Sequence, residues 1–251
     1  MEVRHLNHSC LLVTMAGTRI LVDPGAFSVE KIKAYGAITG LDAVLITHQH
    51  PDHIHPGLLA QILADNPDIP VIAEPETATI LTTEDETDSP AAGHPIIELA
   101  AGDVHEVRDV TIRGYGGLHA VIHPDIPRVG NTGIVLEAIG EPRLGITGDS
   151  LEPIDAFRRI DVLAFAVVAP WSKMEETIDF LRDVKPRLAL PVHDAIASPY
   201  GRPIFFNQSK NFAPKETEVR DWPEDDVVVV GGRKAPEAGC PVRQDSPKNF
   251  S

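Results

Sequence analysis

Thr47-His48-Gln49-His50-Pro51-Asp52-His53 concentrates more ligand chemistry than any other stretch of this chain. His48, His50, Asp52 and His53 place three imidazoles and a carboxylate within six positions. Neutral imidazole plus carboxylate is a borderline nitrogen and oxygen donor set that suits Zn, Mn or Fe. In an extended segment, residues two apart point to the same side. His48 and His50 can therefore grip one ion, while Asp52 and His53, around the turn, reach toward a second. The competing reading is a solvated, histidine-rich loop. With only 11 histidines in 251 residues, three in six positions beside an aspartate speak against it.

The cluster directly follows the apolar run 41–46, and the same grammar recurs three times. His119 follows an apolar stretch at 111–115 and Gly116-Gly117, Asp149 follows 144–147, and His193 follows 188–192. Groups at strand ends, carried on loops above a rigid sheet, are where α/β enzymes keep their reactive residues. The elements that must do this positioning are readable from pattern. Short strands are expected at 2–6, 9–15 and 18–22, the last two joined by an Ala16-Gly17 turn. The third ends at Asp23-Pro24-Gly25, a turn with a carboxylate at its mouth. Helical spacing appears at 28–35, 54–64, 75–81 and 173–184. Further strands are expected at 41–46, 71–73, 104–107, 109–115, 132–139, 143–147, 161–169, 188–192 and 227–230. Residues 82–95 read as an acidic surface loop, 198–217 as irregular, and 231–251 as a mobile Gly/Pro/polar tail. No linker separates two cores, so 1–230 is expected to form one layered α/β domain.

Apolar content of 43% and charged content of 24% are ordinary for a globular protein. Aromatics make up only 5%, so the core must be built from Val, Ile, Leu and Ala. The net charge of −15, with no run of Lys or Arg, disfavours nucleic acid, whose binders carry a basic stripe. A small anionic substrate held at metal ions is not disfavoured. Cys10 and Cys240 are expected to stay reduced. Met1-Glu2-Val3-Arg4-His5 lacks a secretory signal pattern, and no segment approaches 18 uninterrupted apolar residues. The expectation is a cytoplasmic protein that does not enter membranes, with a small-molecule substrate as its partner and self-association into a homo-oligomer left open.

Taken together, these motifs resemble those of the metallo-β-lactamase-fold hydrolases, whose H-x-H-x-D-H stands here as His48-Gln49-His50-Pro51-Asp52-His53. The later family members match in order: a lone His119, Gly148-Asp149-Ser150 and a final His193. The resemblance spans about residues 1–230 and implies a single-domain, four-layer αββα sandwich with a metal pair at one edge of its two sheets. It implies that His48, His50 and His119 hold the first ion, that Asp52, His53 and His193 hold the second, and that Asp149 bridges both. Asp52 and Asp149 are then the candidate catalytic residues. In true β-lactamases of this fold a Cys commonly stands where Asp149 is, which argues against antibiotic hydrolysis. The context Gly117-Leu118-His119 departs from the T-x-G-H of glyoxalase II and tRNase Z-like members. With His8-Ser9-Cys10 and Pro191-Val192-His193-Asp194, the chain is more similar to the UlaG-like branch, which includes lactonases and phosphodiesterases.

Two divalent ions about 3.5–4 Å apart, zinc first with manganese or iron as alternatives, would share a water and lower its pKa from about 16 toward 7. The resulting metal-bridging hydroxide would attack a small ester, lactone or phosphodiester. Ligating imidazoles need a partner for their second nitrogen, and Asp23 and Asp194 stand at strand mouths as candidates. No general acid stands out. Other readings remain: an iron-dependent oxidoreductase on the same scaffold, although flavodiiron-type members usually carry Glu where His50 stands, and a non-catalytic metal-binding member. His123 competes with His119. His8 could line the site entrance but reads first as structural or surface, His5, His94 and His105 read as surface, His55 as solvated, and Trp171 as either substrate-contacting or packed.

Overall fold

The computed structural model describes residues 1–83 and 89–232, so the expected tail lies, from residue 233 onward, outside the described residues. The apolar runs become strands of two sheets. The first sheet holds β1 (Glu2–His5), β2 (Leu11–Met15), β3 (Thr18–Val22), β4 (Ala43–Ile46), β5 (Val71–Ala73), β6 (Ile96–Glu98) and, from late in the chain, β14 (Val227–Val229). Their order is β14-β1-β2-β3-β4-β5-β6. The second holds β7 (Val104–Val107), β8 (Val110–Leu118), β9 (Gly130–Glu137), β10 (Leu144–Ile146), β11 (Val162–Ala166), β12 (Leu188–Val192) and β13 (Glu218–Val219), in the order β13-β12-β11-β10-β9-β8-β7.

Each sheet is antiparallel in one half and parallel in the other. Parallel neighbours need a crossover, usually a helix. Those crossovers are α1 (Val29–Tyr35), α2 (Pro56–Ala64) and α3 (Pro75–Thr83) on the first sheet, and α4 (Met174–Val184) and α5 (Arg202–Phe212) on the second. Alternation sorts the core into three layers. In β4, Ala43 and Leu45 face the opposite sheet, where they join Ile134, Leu136, Val162 and Ala164. Val44 and Ile46 face outward into Ile32, Leu58, Leu59, Ile62 and Leu63 of α1 and α2. In β11, Leu163 and Phe165 likewise meet Phe180 and Leu181 of α4 and Phe206 of α5. Burial on both faces explains why these strands read as unbroken apolar runs. The layers are helix, sheet, sheet, helix: the expected αββα sandwich in a single domain.

Three local expectations change. The stretch 198–217, read as irregular, contains α5: Pro203 sits in the first turn, where its missing N–H costs nothing. That helix buries only Phe206 and Ser209, too thin an apolar stripe to register as helical periodicity. β6 was not anticipated, being a three-residue strand of half-buried and exposed residues at the sheet edge. Gly116-Gly117, placed beyond the expected strand 109–115, lies within β8, paired with Thr132 and Asn131 of β9.

Gly25 ties the fold to the histidine motif. A Cβ there would stand 1.7 Å from the Asp52 carbonyl oxygen and 2.5 Å from the His53 nitrogen. Ala26 N–H donates to Pro51 O at 2.8 Å, and His55 N–H to Pro24 O at 3.0 Å, so the turn after β3 is bolted to the loop after β4. Substitution Gly25→Ala forces backbone from backbone and should cost about 1–3 kcal/mol. In a chain of this size that is a melting shift of several degrees, readable by calorimetry; a shift below about 1 °C would contradict the close approach.

Candidate metal centre

The strand ends of both sheets converge on one point. Thr47, the first residue after β4, donates its N–H to Asp23 Oδ1 at 2.8 Å and its hydroxyl to Asp23 Oδ2 at 2.7 Å. Its carbonyl accepts Thr132 N–H from β9 at 2.9 Å, crossing between the sheets. Asp23 is completely buried and holds a left-handed conformation, with φ 47°. Its Oδ2 also meets His53 Nδ1 at 2.8 Å, fixing that ring. Asp23 thus lies behind the His53 ring. Asp194 does otherwise: its carboxylate accepts Arg202 Nε at 2.5 Å, and the same guanidinium pairs with Asp221. The cause is local. His193 adopts a left-handed conformation (φ 64°), and its Nδ1 turns to the Val168 carbonyl at 2.8 Å instead.

Asp149 is the meeting point. It follows β10 and Gly148, whose positive φ of 55° and lack of a Cβ leave room for Asn131. Asn131 Oδ1 accepts Asp149 N–H at 2.9 Å, and Asn131 Nδ2 donates to Thr147 O at 3.1 Å, so β9 sets the direction of the Asp149 side chain. Oδ1 lies 3.0 Å from His53 Nε2. Oδ2 lies 3.1 Å from His193 Nε2, 3.2 Å from His119 Nε2 and 2.9 Å from the Trp171 indole Nε1, which donates to it. His119 Nδ1 is held by the Ala120 carbonyl at 2.7 Å. Around this carboxylate the donor atoms fall into two groups, each within 4.8 Å: His48, His50, His119 and Asp149, and His8, Asp52, His53 and His193. All seven sequence-predicted donors are brought together. His123 is not, being exposed with its Nδ1 accepting Asp125 N–H at 3.1 Å.

His8 lies inside the site. It is 1% exposed, its Nε2 lies 3.1 Å from Asp52 Oδ2, and its ring centroid lies 4.1 Å from that of His193. His5, read as a surface residue, is buried and stacks on Trp222 at 4.7 Å. His55 caps α2, its Nδ1 accepting Leu58 N–H at 3.0 Å. Trp171 and Asn131 had no motif to announce them; each acts through one hydrogen bond to Asp149.

The charges of the site are strongly coupled. Burial pushes His48 well below the usual imidazole range, assisted by His53. Burial alone would do the same to His53, but the Asp149 and Asp23 carboxylates outweigh it and hold His53 well above that range. Burial opposes charge on His193 too, yet the nearby Asp149 and Asp52 carboxylates raise it to about 9. Asp149 is held well below the carboxylate range, His53, His119 and His193 overcoming its burial. Even so, His53 Nε2, His193 Nε2 and Asp149 Oδ1 are buried with close ionic contacts but no aligned hydrogen bond. Orphaned buried polar atoms are costly and rare. Three of them in one buried cluster, in a donor set of imidazole and carboxylate, fit divalent cations.

Residues 2–193 match the family model described as the beta-lactamase superfamily domain. The chain is 39% identical over 230 residues to protein Rv0786c of Mycobacterium tuberculosis, covering 91% of this chain and 100% of that one. A UPF0173 metal-dependent hydrolase of Aeropyrum pernix is 31% identical over 83 residues, which are 33% of this chain and 34% of its own. Among solved structures, Igni18, a metallo hydrolase from Ignicoccus hospitalis, superimposes with a TM-score of 0.67 at 19% identity, over 90% of this chain and 97% of that one. At that identity the likeness is one of fold.

The raised imidazoles set a pH dependence. In the metal-free protein, protonated His193 adds stability that is full below its unfolded pKa of about 6.5 and is lost as pH rises through about 9. The melting temperature of metal-free protein should therefore fall across that window. A cation must displace these protons, so zinc uptake at pH 7 should release protons, read as a calorimetric enthalpy that changes with the buffer's ionisation enthalpy. Uptake with no buffer dependence would contradict the assignment.

Proposed function

The chain belongs to the beta-lactamase superfamily, in its metallo-β-lactamase fold, and on that premise we propose that it is a dinuclear metal-dependent hydrolase of small esters, lactones or phosphodiesters. The observation that carries this reading is the orphaned trio of His53 Nε2, His193 Nε2 and Asp149 Oδ1 inside a ring of seven donors. The metal-dependent hydrolase from Aeropyrum pernix supports the reaction class.

His48, His50 and His119 would hold the first ion, and Asp52, His53 and His193 the second, with Asp149 shared between them. Two such ions would supply a water ionisable near neutral pH and an electrophile for the substrate oxygen. The protein's own part is to aim and hold these donors. Asp23 and the carbonyls of Ala120 and Val168 occupy the Nδ1 atoms of His53, His119 and His193, leaving each Nε2 lone pair free. Asp149 sets its negative charge where two cations would otherwise repel one another. The Trp171 indole donates to Asp149 Oδ2, which fixes the carboxylate plane. Arg128 donates its Nε to the His119 carbonyl at 2.8 Å and brings a guanidinium beside the site, which suits an anionic substrate. Zinc is the expected native metal, with manganese or iron compatible with the same donors. Similarity to the UlaG-like branch and a cytoplasmic location belong to the same reading. No helix among the described residues is long and apolar enough to cross a membrane.

Purified protein should carry close to two divalent ions per chain by elemental analysis. Chelation should abolish turnover of a panel of nitrophenyl esters, lactones and phosphodiesters, and zinc should restore it. Asp149→Ala should lose the second ion and at least about 100-fold in turnover; unchanged activity in that variant would sink the mechanism.

A further inference from the structure

His8 stands among the donors of the second group, yet its hydrogen bonds run the opposite way from those of its neighbours. His53, His119 and His193 each present Nδ1 to an oxygen that can only accept, at 2.8, 2.7 and 2.8 Å. In the neutral ring those nitrogens carry the proton, which makes Nε2 the lone pair offered to a cation at the centre. His8 reverses this. Its Nδ1 receives the backbone N–H of Ala195 at 3.3 Å, so that nitrogen is the one without a proton. The proton of the neutral ring then sits on Nε2, which points at Asp52 Oδ2 from 3.1 Å. The orphaned atoms fall on the same division. His53 and His193 have an unpartnered Nε2, whereas both ring nitrogens of His8 are engaged.

The backbone around His8 is built to hold this pose. Asn7 and His8 both lie in the left-handed region, at φ 77° and 54°, uncommon for non-glycine residues but entered more readily by Asn and His than by most. The pair turns the chain so that Leu6 N–H reaches Cys10 O at 2.8 Å. The His8 carbonyl accepts two bonds, from His193 N–H at 3.1 Å and His5 Nε2 at 2.8 Å. Phe27 meets the ring edge-on at 4.9 Å. One residue between β1 and β2 thus grips a candidate donor from each sheet: His193, after β12, through its carbonyl, and Asp52, after β4, through its ring.

We propose that His8 is not a metal ligand but a positioning residue, whose Nε2–H fixes the Asp52 carboxylate toward the second ion while its carbonyl fixes the His193 backbone. This rests on the reading of Asp52 and His193 as ligands of that ion. Partners of this kind commonly govern metal affinity by 10–100-fold (about that range) when removed.

The test uses zinc-loaded full-length protein. Long-range proton–nitrogen NMR of its histidine rings, with His8 assigned by comparison with His8→Gln, should show a protonated Nε2 and a bare Nδ1 at His8. Zinc titration against a competing chelator should show the second ion weakened about 10–100-fold in His8→Ala. His8→Gln, whose amide keeps a donor, should regain most of the loss. A His8 ring protonated at Nδ1 with its Nε2 bound to zinc would overturn the proposal, as would His8→Ala with unchanged affinity or a Gln variant no better than Ala. Should His8→Ala fail to fold, the ring spectrum of the wild type decides alone. Wild-type protein that takes up only one equivalent of zinc would instead refute the two-ion reading, a result separate from these.

Discussion

A carboxylate buried among imidazoles governs this molecule. Asp149 is 2% exposed and faces His53, His119 and His193 at once, with Trp171 donating from the rim. Taking such a charge out of water is expensive unless it is paired and hydrogen-bonded. Here the pairing comes from residues on both sheets. Asp149 and His193 follow strands of the second sheet, and His48 and His53 follow a strand of the first. The sandwich must close in register for the carboxylate to find its partners, and the Thr47–Thr132 backbone bond records that register at the site itself.

The surrounding parts follow from this demand. Asn131 reaches across from β9 to orient the Asp149 backbone, and Gly148 makes room for it. Asp23, fully buried behind His53, ties the β3 turn to the start of the histidine motif with bonds to Thr47 and His53. Gly25 lets the same turn lie directly on the Asp52 backbone. A carboxylate behind an imidazole is the usual way to raise ligand basicity and fix a ring. In the metal-free protein the carboxylates of the site attract protons, Asp149 and Asp23 at His53 and Asp149 and Asp52 at His193, so both stand above their ordinary range. Proton and cation compete for one set of lone pairs.

The part of the site that was legible in the sequence is the part that sequence spacing encodes. His48, His50, Asp52 and His53 are neighbours on the chain, and His119, Asp149 and His193 each end a strand with a clear apolar run, so a strand-end rule finds them. The two-sided burial of β4 and β11 likewise announced the layered fold. What stayed hidden depends on dihedral angles and on contacts distant in sequence. His8 enters the site because Asn7 and His8 turn left-handed, a conformation their types permit but their spacing does not specify. Asp194 sits beside His193 in sequence, but the left-handed backbone of His193 sends it to Arg202. The helix α5 escaped notice because Pro203 and a thin apolar face disguise it. His5 was mistaken for a surface residue because its burial depends on Trp222, more than two hundred positions later.

Anomalous diffraction above and below the zinc edge, from crystals of zinc-loaded protein, tests the two-ion centre most directly. It should give two peaks about 3.5–4 Å apart flanking Asp149, one among His48, His50 and His119 and the other among Asp52, His53 and His193. A single peak, or peaks away from Asp149, would contradict the account.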